Sequence, residues 1–112
     1  MATIAFDPNT LYLYRGQPRK RTLYTDADGS LRASIDWSGW LGTSTIVTST
    51  WATEDGETWL TLTSPDADTV ATEVYVSSQD RSDRGHYIEN TVITSTPETF
   101  KQSILVKTVR VA

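Results

Sequence analysis

At 112 residues, the chain has the length of a single domain with one hydrophobic core. Its formal net charge of -4 argues against binding to nucleic acid through bulk positive charge. It contains no cysteine, which excludes a disulfide framework and favours a reducing compartment or support from neighbouring subunits. We also expect neither a signal peptide nor a membrane span.

The first 30 residues differ from the rest and are predicted to form an N-terminal arm, whereas residues 31–112 are predicted to form the folded body. Residues 11–14 (LYLY) predict a strand that is apolar on both faces and needs two covers. A basic segment broken by Gly and Pro follows at residues 15–21. These first residues could form an edge strand of their own domain, but because the strand at residues 11–14 needs two covers we favour an arm that pairs with a neighbouring subunit. The predicted partner-binding residues are Leu11, Tyr12, Leu13, Tyr14, Arg15, Arg19, Lys20 and Arg21.

The stretch from Leu31 to Ala52 holds three of the four tryptophans and is predicted to organise the core. Its first residues alternate between apolar and polar, which is the period of a strand with one buried face. A Ser-Gly pair then permits a turn, so that Trp40 and Leu41 can close the end of the core. A second strand follows at about residues 45–53. The predicted core anchors are Trp37, Trp40 and Trp51.

The second half of the chain alternates strand patterns with turn sequences. Pro65 argues against a central strand, so residues 64–68 are predicted to form a loop. A strand at residues 86–95 places Ile88, Asn90 and Val92 on one face. The last strand is predicted to carry a bulge at Lys107-Thr108, because the apolar alternation shifts there. Six or seven such strands, spaced about 10–12 residues apart, predict an all-β sandwich.

No pattern of catalytic residues is evident. His86 is the only histidine, so any Ser–His or metal scheme must include it. Ser82 and Asp83 are close to it in sequence, but neighbours along a strand do not converge. The Asp-x-Asp pairs at 26–28 and 66–68 lack the spacing of a calcium loop and are typical of turns. We predict no catalytic residue, no metal site and no cofactor.

The sequence leaves two interpretations open for the basic segment and two for the aromatic residues. The basic segment could dock on an acidic protein surface, or it could be a solvated loop. Trp59 and the tyrosines could form a platform for sugars, or they could belong to the core or to a subunit interface.

From residue 34 onward the sequence resembles the fiber-tail adaptor family, small virion proteins of tailed bacteriophages. The resemblance depends most on the double-tryptophan pattern that follows the first strand of the body, and its segments occur in a consistent order. The matching segments are Ile35–Leu41 (IDWSGWL), Ile46–Trp51 (IVTSTW), Val70–Ser77 (VATEVYVS), Asn90–Ser95 (NTVITS) and Gln102–Lys107 (QSILVK).

The resemblance implies an immunoglobulin-like β-sandwich that is part of the virion and is assembled in the cytoplasm of the bacterial host. It implies a non-enzymatic structural adaptor, present in multiple copies in a ring, that links the tail or connector to fibers or spikes. Its partners would be other virion proteins. A capsid decoration (cement) protein is the alternative with similar chemistry, and a carbohydrate-binding module is the alternative from another class.

Overall fold

The computed structural model describes residues 4, 6, 10–14, 21–26, 30–53, 60–78 and 85–109. Within these ranges the chain forms eight strands and one short helix, and no helix is long and apolar enough to cross a membrane. The strands are β1 (Thr10–Tyr14), β2 (Arg21–Asp26), β3 (Ser30–Trp37), β4 (Ile46–Thr53), β5 (Leu60–Ala67), β6 (Ala71–Ser78), β7 (Gly85–Thr94) and β8 (Thr99–Val109). The helix α1 (Ser38–Leu41) joins β3 to β4.

These strands form two four-stranded sheets. Sheet A has the order β1-β3-β6-β5, and sheet B has the order β2-β8-β7-β4. The runs β3-β6-β5 and β8-β7-β4 correspond to strands B-E-D and G-F-C of an immunoglobulin constant-type sandwich. The predicted all-β sandwich is therefore confirmed, with eight described strands where about seven were predicted.

The alternating sequence of the strands separates a buried inner face from an outer face. In β3, Ala33, Ile35 and Trp37 are at most 1 % exposed, and all three belong to the core. In β7, Ile88 and Val92 are fully buried, as their shared face predicts. Each fully buried Ile or Val side chain contributes about 1.5–3 kcal/mol, so these inner faces supply most of the driving force for the two sheets to pack.

A hydrogen-bonded polar network crosses the core between the sheets. Trp37 Nε1 in sheet A donates to Thr72 Oγ1 of the same sheet and to Asn90 Oδ1 of sheet B, at 3.1 Å in each case. Thr72 Oγ1 also donates to Asn90 Oδ1 at 2.6 Å. Asn90 Nδ2 donates in turn to Ser49 Oγ at 2.9 Å and to the Thr50 carbonyl at 3.1 Å. Buried polar groups with these partners add directional contacts to an otherwise non-directional core.

The helix α1 closes one end of the sandwich, as the sequence predicts. Asp36 Oδ1 accepts a hydrogen bond from the Ser38 amide at 2.9 Å, which starts the turn. Leu41, 2 % exposed, is part of the core cluster. Gly42 follows with φ 64°, a left-handed conformation that a residue without Cβ adopts at little cost.

The three tryptophans predicted as core anchors differ in burial. Trp37 is enclosed, whereas Trp40 and Trp51 are half-buried and pack against the core cluster. Trp40 meets Trp37 edge to face at a centroid distance of 6.5 Å and meets Phe100 in the same way at 5.7 Å. Trp51 lies opposite Asn90 in the β4–β7 ladder. The tryptophans therefore line the core from its centre to its α1 end and its β4 edge.

The described part of the first 30 residues belongs to the sandwich instead of forming a separate arm. β1 pairs in parallel with β3, and β2 pairs in parallel with β8. Leu11 and Leu23, at 4 % and 2 % exposure, enter the core. The reason is that each short strand extends one sheet and buries an apolar side chain between the layers. A division of the chain at residue 30 therefore does not describe these two strands.

The prediction of a loop at residues 64–68 is wrong for most of that range, because β5 continues through Pro65 to Ala67. A proline is tolerated here because β5 is an edge strand and needs no ladder hydrogen bond on its outer side. The register with β6 shifts between Thr63 and Asp66, where Ser64 has φ 52°. One extra residue is thus absorbed as a bulge.

The predicted bulge at Lys107-Thr108 is also wrong. The β2–β8 register runs unbroken from Arg21↔Ile104 to Asp26↔Val109. A polar residue in a strand changes the apolar pattern of the sequence without changing the pairing of the backbone.

Candidate partner-binding surface

β1 is an edge strand of sheet A and pairs only with β3 among the described strands. The ladder runs from Thr10↔Ser34 to Tyr12↔Asp36. The Leu11 side chain is buried in the core, whereas Tyr12 points outward and is 42 % exposed. β1 thus buries Thr10 and Leu11, presents the Tyr12 ring and has no second strand partner among the described strands, and an edge strand of this kind can be extended by another strand.

The predicted partner-binding residues are distributed over two strands and the segment between them. Leu11 is a core residue, because its position on β1 faces the other sheet, so its side chain is not available to a partner in this arrangement. Further members within strands are Leu13, Tyr14 and Arg21. Outside the described residues lie Arg15, Arg19 and Lys20. The basic segment therefore joins an edge strand of sheet A to an edge strand of sheet B.

An aromatic pair lies on the outer face of sheet A, beside β1. Phe6 and Tyr12 meet edge to face at a centroid distance of 5.8 Å, and both remain more than 40 % exposed. Next to them, Thr10 Oγ1 and Ser34 Oγ share a hydrogen bond of 2.8 Å and are fully buried. Exposed aromatic rings held by neighbours are typical of surfaces that contact other proteins.

The carboxylate of Asp68 ties the beginning of the chain to the turn between β5 and β6. Its Oδ2 accepts from the Ile4 amide at 2.9 Å. Its Oδ1 accepts from the amides of Val70 and Ala71 at 2.8 and 2.7 Å. This aspartate, one of the Asp-x-Asp pairs in the sequence, thus uses its oxygens on backbone donors, as turn-forming aspartates do.

The outer face of sheet A also carries an ion pair next to an exposed ring. Arg32 Nε and Glu73 Oε1 are 2.6 Å apart, with side chains only 17 % and 16 % exposed. Tyr75 lies opposite Arg32 in the β3–β6 ladder and is 38 % exposed. The ion pair holds two long side chains in one arrangement on the outer face of sheet A.

A second aromatic surface lies on the outer face of sheet B. Tyr24 is 61 % exposed and Tyr87 is 38 % exposed. Leu105 is the ladder partner of Tyr87 and packs over Gly85, where an added Cβ would lie 2.6 Å from Leu105 Cδ1. Lys107, the ladder partner of Tyr24, brings a positive charge to the same surface. This surface could not be predicted from the sequence, because its members share one face only through the β2–β8–β7 pairing.

His86 lies on the inner face of β7, opposite Val106, and is 9 % exposed. Ser82 and Asp83, its neighbours in sequence, lie outside the described residues. Across the part of the chain that the structure describes, no group of three or more His, Cys, Asp and Glu side chains is placed to hold a metal ion. His86 is therefore positioned away from the two exposed aromatic surfaces.

No protein-family model and no curated protein match the chain. Among solved structures, it is similar to the PKD domain from the KIAA 1837 protein, with 13% sequence identity and a TM-score of 0.53 over 97% of this chain and 93% of that one. It is also similar to part of a 2,6-sialyltransferase from Photobacterium sp. JT-ISH-224, with 12% identity and a TM-score of 0.53 over 93% of this chain. The chain spans only 19% of that enzyme.

At these identities the similarity concerns the fold alone. The match to nearly the whole of a PKD domain, together with the strand order of the two sheets, confirms the predicted immunoglobulin-like β-sandwich.

Proposed function

We propose that this chain is a structural adaptor of a tailed-bacteriophage virion, which links the tail or connector to fibers or spikes through protein–protein contacts. The main support for the proposal is a hydrogen-bonded network in the core. Trp37, Thr72 and Asn90, which hydrogen-bond to one another across the core, come from three of the separate segments on which the resemblance to fiber-tail adaptors depends. A pattern whose members meet in one buried network is more specific than a shared strand composition.

The surfaces of the sandwich support a role in holding other proteins. The basic segment at residues 15–21 carries four of the ten basic residues of a chain whose net charge is -4. The exposed Phe6–Tyr12 pair lies on the outer face of sheet A, beside the strand that precedes this segment. A positive segment next to exposed aromatic rings suits an acidic partner surface, because charge complementarity guides the encounter and the aromatic rings supply buried area.

If several copies form a ring, weak contacts between individual copies would be sufficient to hold the assembly together. Each copy engages more than one neighbour, so the second contact forms at a high effective concentration and the assembly holds more firmly than any single interface.

Locating the protein in purified virions tests the proposal. A small tag on the chain, detected by electron microscopy, should mark the junction between tail and fibers. Label on the capsid shell would instead support the decoration protein, and absence from particles that carry their other structural proteins would refute both virion roles.

Point variants then connect the location to the proposed surface. Exchanging Arg19 and Lys20 for Glu, or Tyr12 for Ala, should reduce incorporation into particles. Ile93→Ala, which shortens an exposed apolar side chain on the outer face of sheet B, is the control and should be incorporated normally. Deleting residues 1–22 is a poor test, because it would also remove Leu11 from the core.

A carbohydrate-binding module is the second candidate, favoured by the exposed Tyr24 and Tyr87 beside Lys107 on sheet B. Aromatic rings offer flat apolar faces to sugar rings. Glycan-array binding that is lost in Tyr24→Ala and Tyr87→Ala but kept in Tyr75→Ala would support it. Trp59, the other aromatic residue considered for this role, lies outside the described residues.

A further inference from the structure

β1 has the shortest ladder among the described strands. It is joined to β3 through three residue pairs, whereas the other ladders contain six to nine. It lies at the edge of sheet A and is followed by a segment that leads to the other sheet. Its release would therefore leave the pairing between the remaining strands unchanged.

The contacts that hold β1 are nevertheless specific. Leu11 fills a place in the core next to β3, and Thr10 Oγ1 bonds Ser34 Oγ in a fully buried position. All these contacts lie between β1 and the rest of the sandwich, so an identical strand from a second copy can make every one of them. Exchange of an element between identical chains costs little for this reason.

The connection between β1 and β2 is six residues long. Residues 15–20 join Tyr14 to Arg21, and they include Gly16 and Pro18. A six-residue connection spans at most about 20 Å when extended, which is about twice the separation of two packed sheets, so its length does not restrict β1 to its own sandwich.

We propose that β1 exchanges between copies of this chain, so that Thr10–Tyr14 of one copy docks in parallel on β3 of the next. The inference rests on the proposed function, since it states how neighbouring copies in a ring hold one another. A strand passed from each copy to the next is a head-to-tail contact, and such contacts close into rings when the rotation permits. The occupant of the β3 edge is then a second copy, not an unrelated peptide.

The absence of cysteine from the chain permits a direct test. Full-length Thr10→Cys and Ser34→Cys proteins are purified separately, mixed under reducing conditions and then oxidised. Because the two hydroxyl oxygens are 2.8 Å apart, thiols at these positions can form a disulfide when β1 of one chain lies on β3 of another. We expect a mixed covalent dimer on a non-reducing gel.

The matched control replaces Thr10→Cys by Glu89→Cys, which places the thiol on the outer face of sheet B, away from β3. The Thr10/Ser34 mixture should give at least about tenfold more dimer than this control, because a docked strand holds its thiol at a high effective concentration. Equal yields in the two mixtures would overturn the proposal.

A second measurement covers the case in which a cysteine variant fails to fold. A fluorescent peptide of residues 4–14 is added to the unmodified full-length chain. The labelled peptide should bind saturably. An unlabelled peptide carrying Tyr12→Ala should compete for the same site, because Tyr12 points outward. An unlabelled peptide carrying Leu11→Asp should not compete, because Leu11 enters the core. No binding of the parent peptide would also overturn the proposal.

These outcomes are independent of the location of the protein. Exchange in the purified chain without incorporation into virions would refute the adaptor role but not the exchange. Label at the junction of tail and fibers, with no exchange in the purified chain, would refute the exchange but not the adaptor role.

Discussion

The centre of the sandwich and the β1 edge are held together by different means. At the centre, Trp37 and Asn90 link the two sheets by hydrogen bonds inside a buried apolar cluster. At the edge, β1 relies on a short ladder, the Leu11 side chain and the Thr10–Ser34 hydroxyl pair. The centre draws on strands of both sheets, whereas the edge draws mainly on β3.

This difference separates the part of the molecule that maintains the fold from the part that we propose changes partners. Regions with few buried contacts open at low free energy, and core strands open only with the whole domain. A protein that joins other proteins needs both properties, because its body must stay folded while its edges exchange contacts. If the two regions are energetically distinct, substitutions at the centre and at the edge should differ in what they cost and in which strands they loosen.

The largest effect is expected at Asn90. Asn90→Leu removes the acceptor of Trp37 Nε1 and Thr72 Oγ1 and the donor to Ser49 and Thr50, within a fully buried site. Because buried polar groups left without partners keep their desolvation cost, we expect the free energy of unfolding to fall by about 3 kcal/mol. Urea denaturation followed by tryptophan fluorescence measures it.

The control for this change is Ile93→Thr, on the outer face of the same strand, where the side chain is 42 % exposed. It keeps a β-branched residue and should change the free energy of unfolding by no more than about 0.5 kcal/mol. If Asn90→Leu costs no more than this control, the polar network does not stabilise the centre.

The centre of the molecule was also the more predictable part. Alternation in β3 and β7 identifies their inner faces, including the face shared by Ile88, Asn90 and Val92, because burial on one side of a strand leaves a period of two in the sequence. The turn after Trp37 could likewise be predicted from its Ser-Gly pair. The hydrogen bonds of Asn90 could not, since its partners lie 18 to 53 residues away.

The edge was less predictable, because an apolar strand does not specify what it pairs with. The pattern of residues 11–14 suits an arm on a neighbour and an edge strand of the same domain equally well. The parallel pairings of β1 with β3 and of β2 with β8 join residues distant in sequence. The same pairings bring Tyr24 beside Lys107, so the aromatic surface of sheet B follows from topology and not from a motif.

A smaller and more local effect is expected from Leu11→Ala. Removing most of this 4 % exposed side chain from the edge of the core should cost about 2 kcal/mol. We expect the cost to appear as easier opening of β1, with amide hydrogen exchange at residues 10–14 faster by roughly 10- to 30-fold. Hydrogen-exchange mass spectrometry measures β1 and β7 in one experiment.

Val92→Ala is the comparison variant, because Val92 is fully buried at the centre. It should accelerate exchange in β7, which opens only with the whole domain, and leave β1 unchanged, because Val92 stays packed when β1 alone opens. Equal acceleration of β1 and β7 by Val92→Ala would mean that the edge and the centre open together, and the distinction between them would be lost.

The smallest effect is expected on the outer face of sheet A, where Arg32 pairs with Glu73. Glu73→Gln keeps a side chain of the same shape and removes its charge, so the free energy of unfolding should fall by at most about 1 kcal/mol at low salt and by less as salt screens the pair. Asp66→Asn makes the same change of charge at an exposed position on β5, and it should have a negligible effect. Urea titrations at low and high sodium chloride compare the two variants. A cost for Glu73→Gln that is large and independent of salt would place this ion pair with the buried network of the centre, and the stable part of the domain would then extend across sheet A to the neighbourhood of β1.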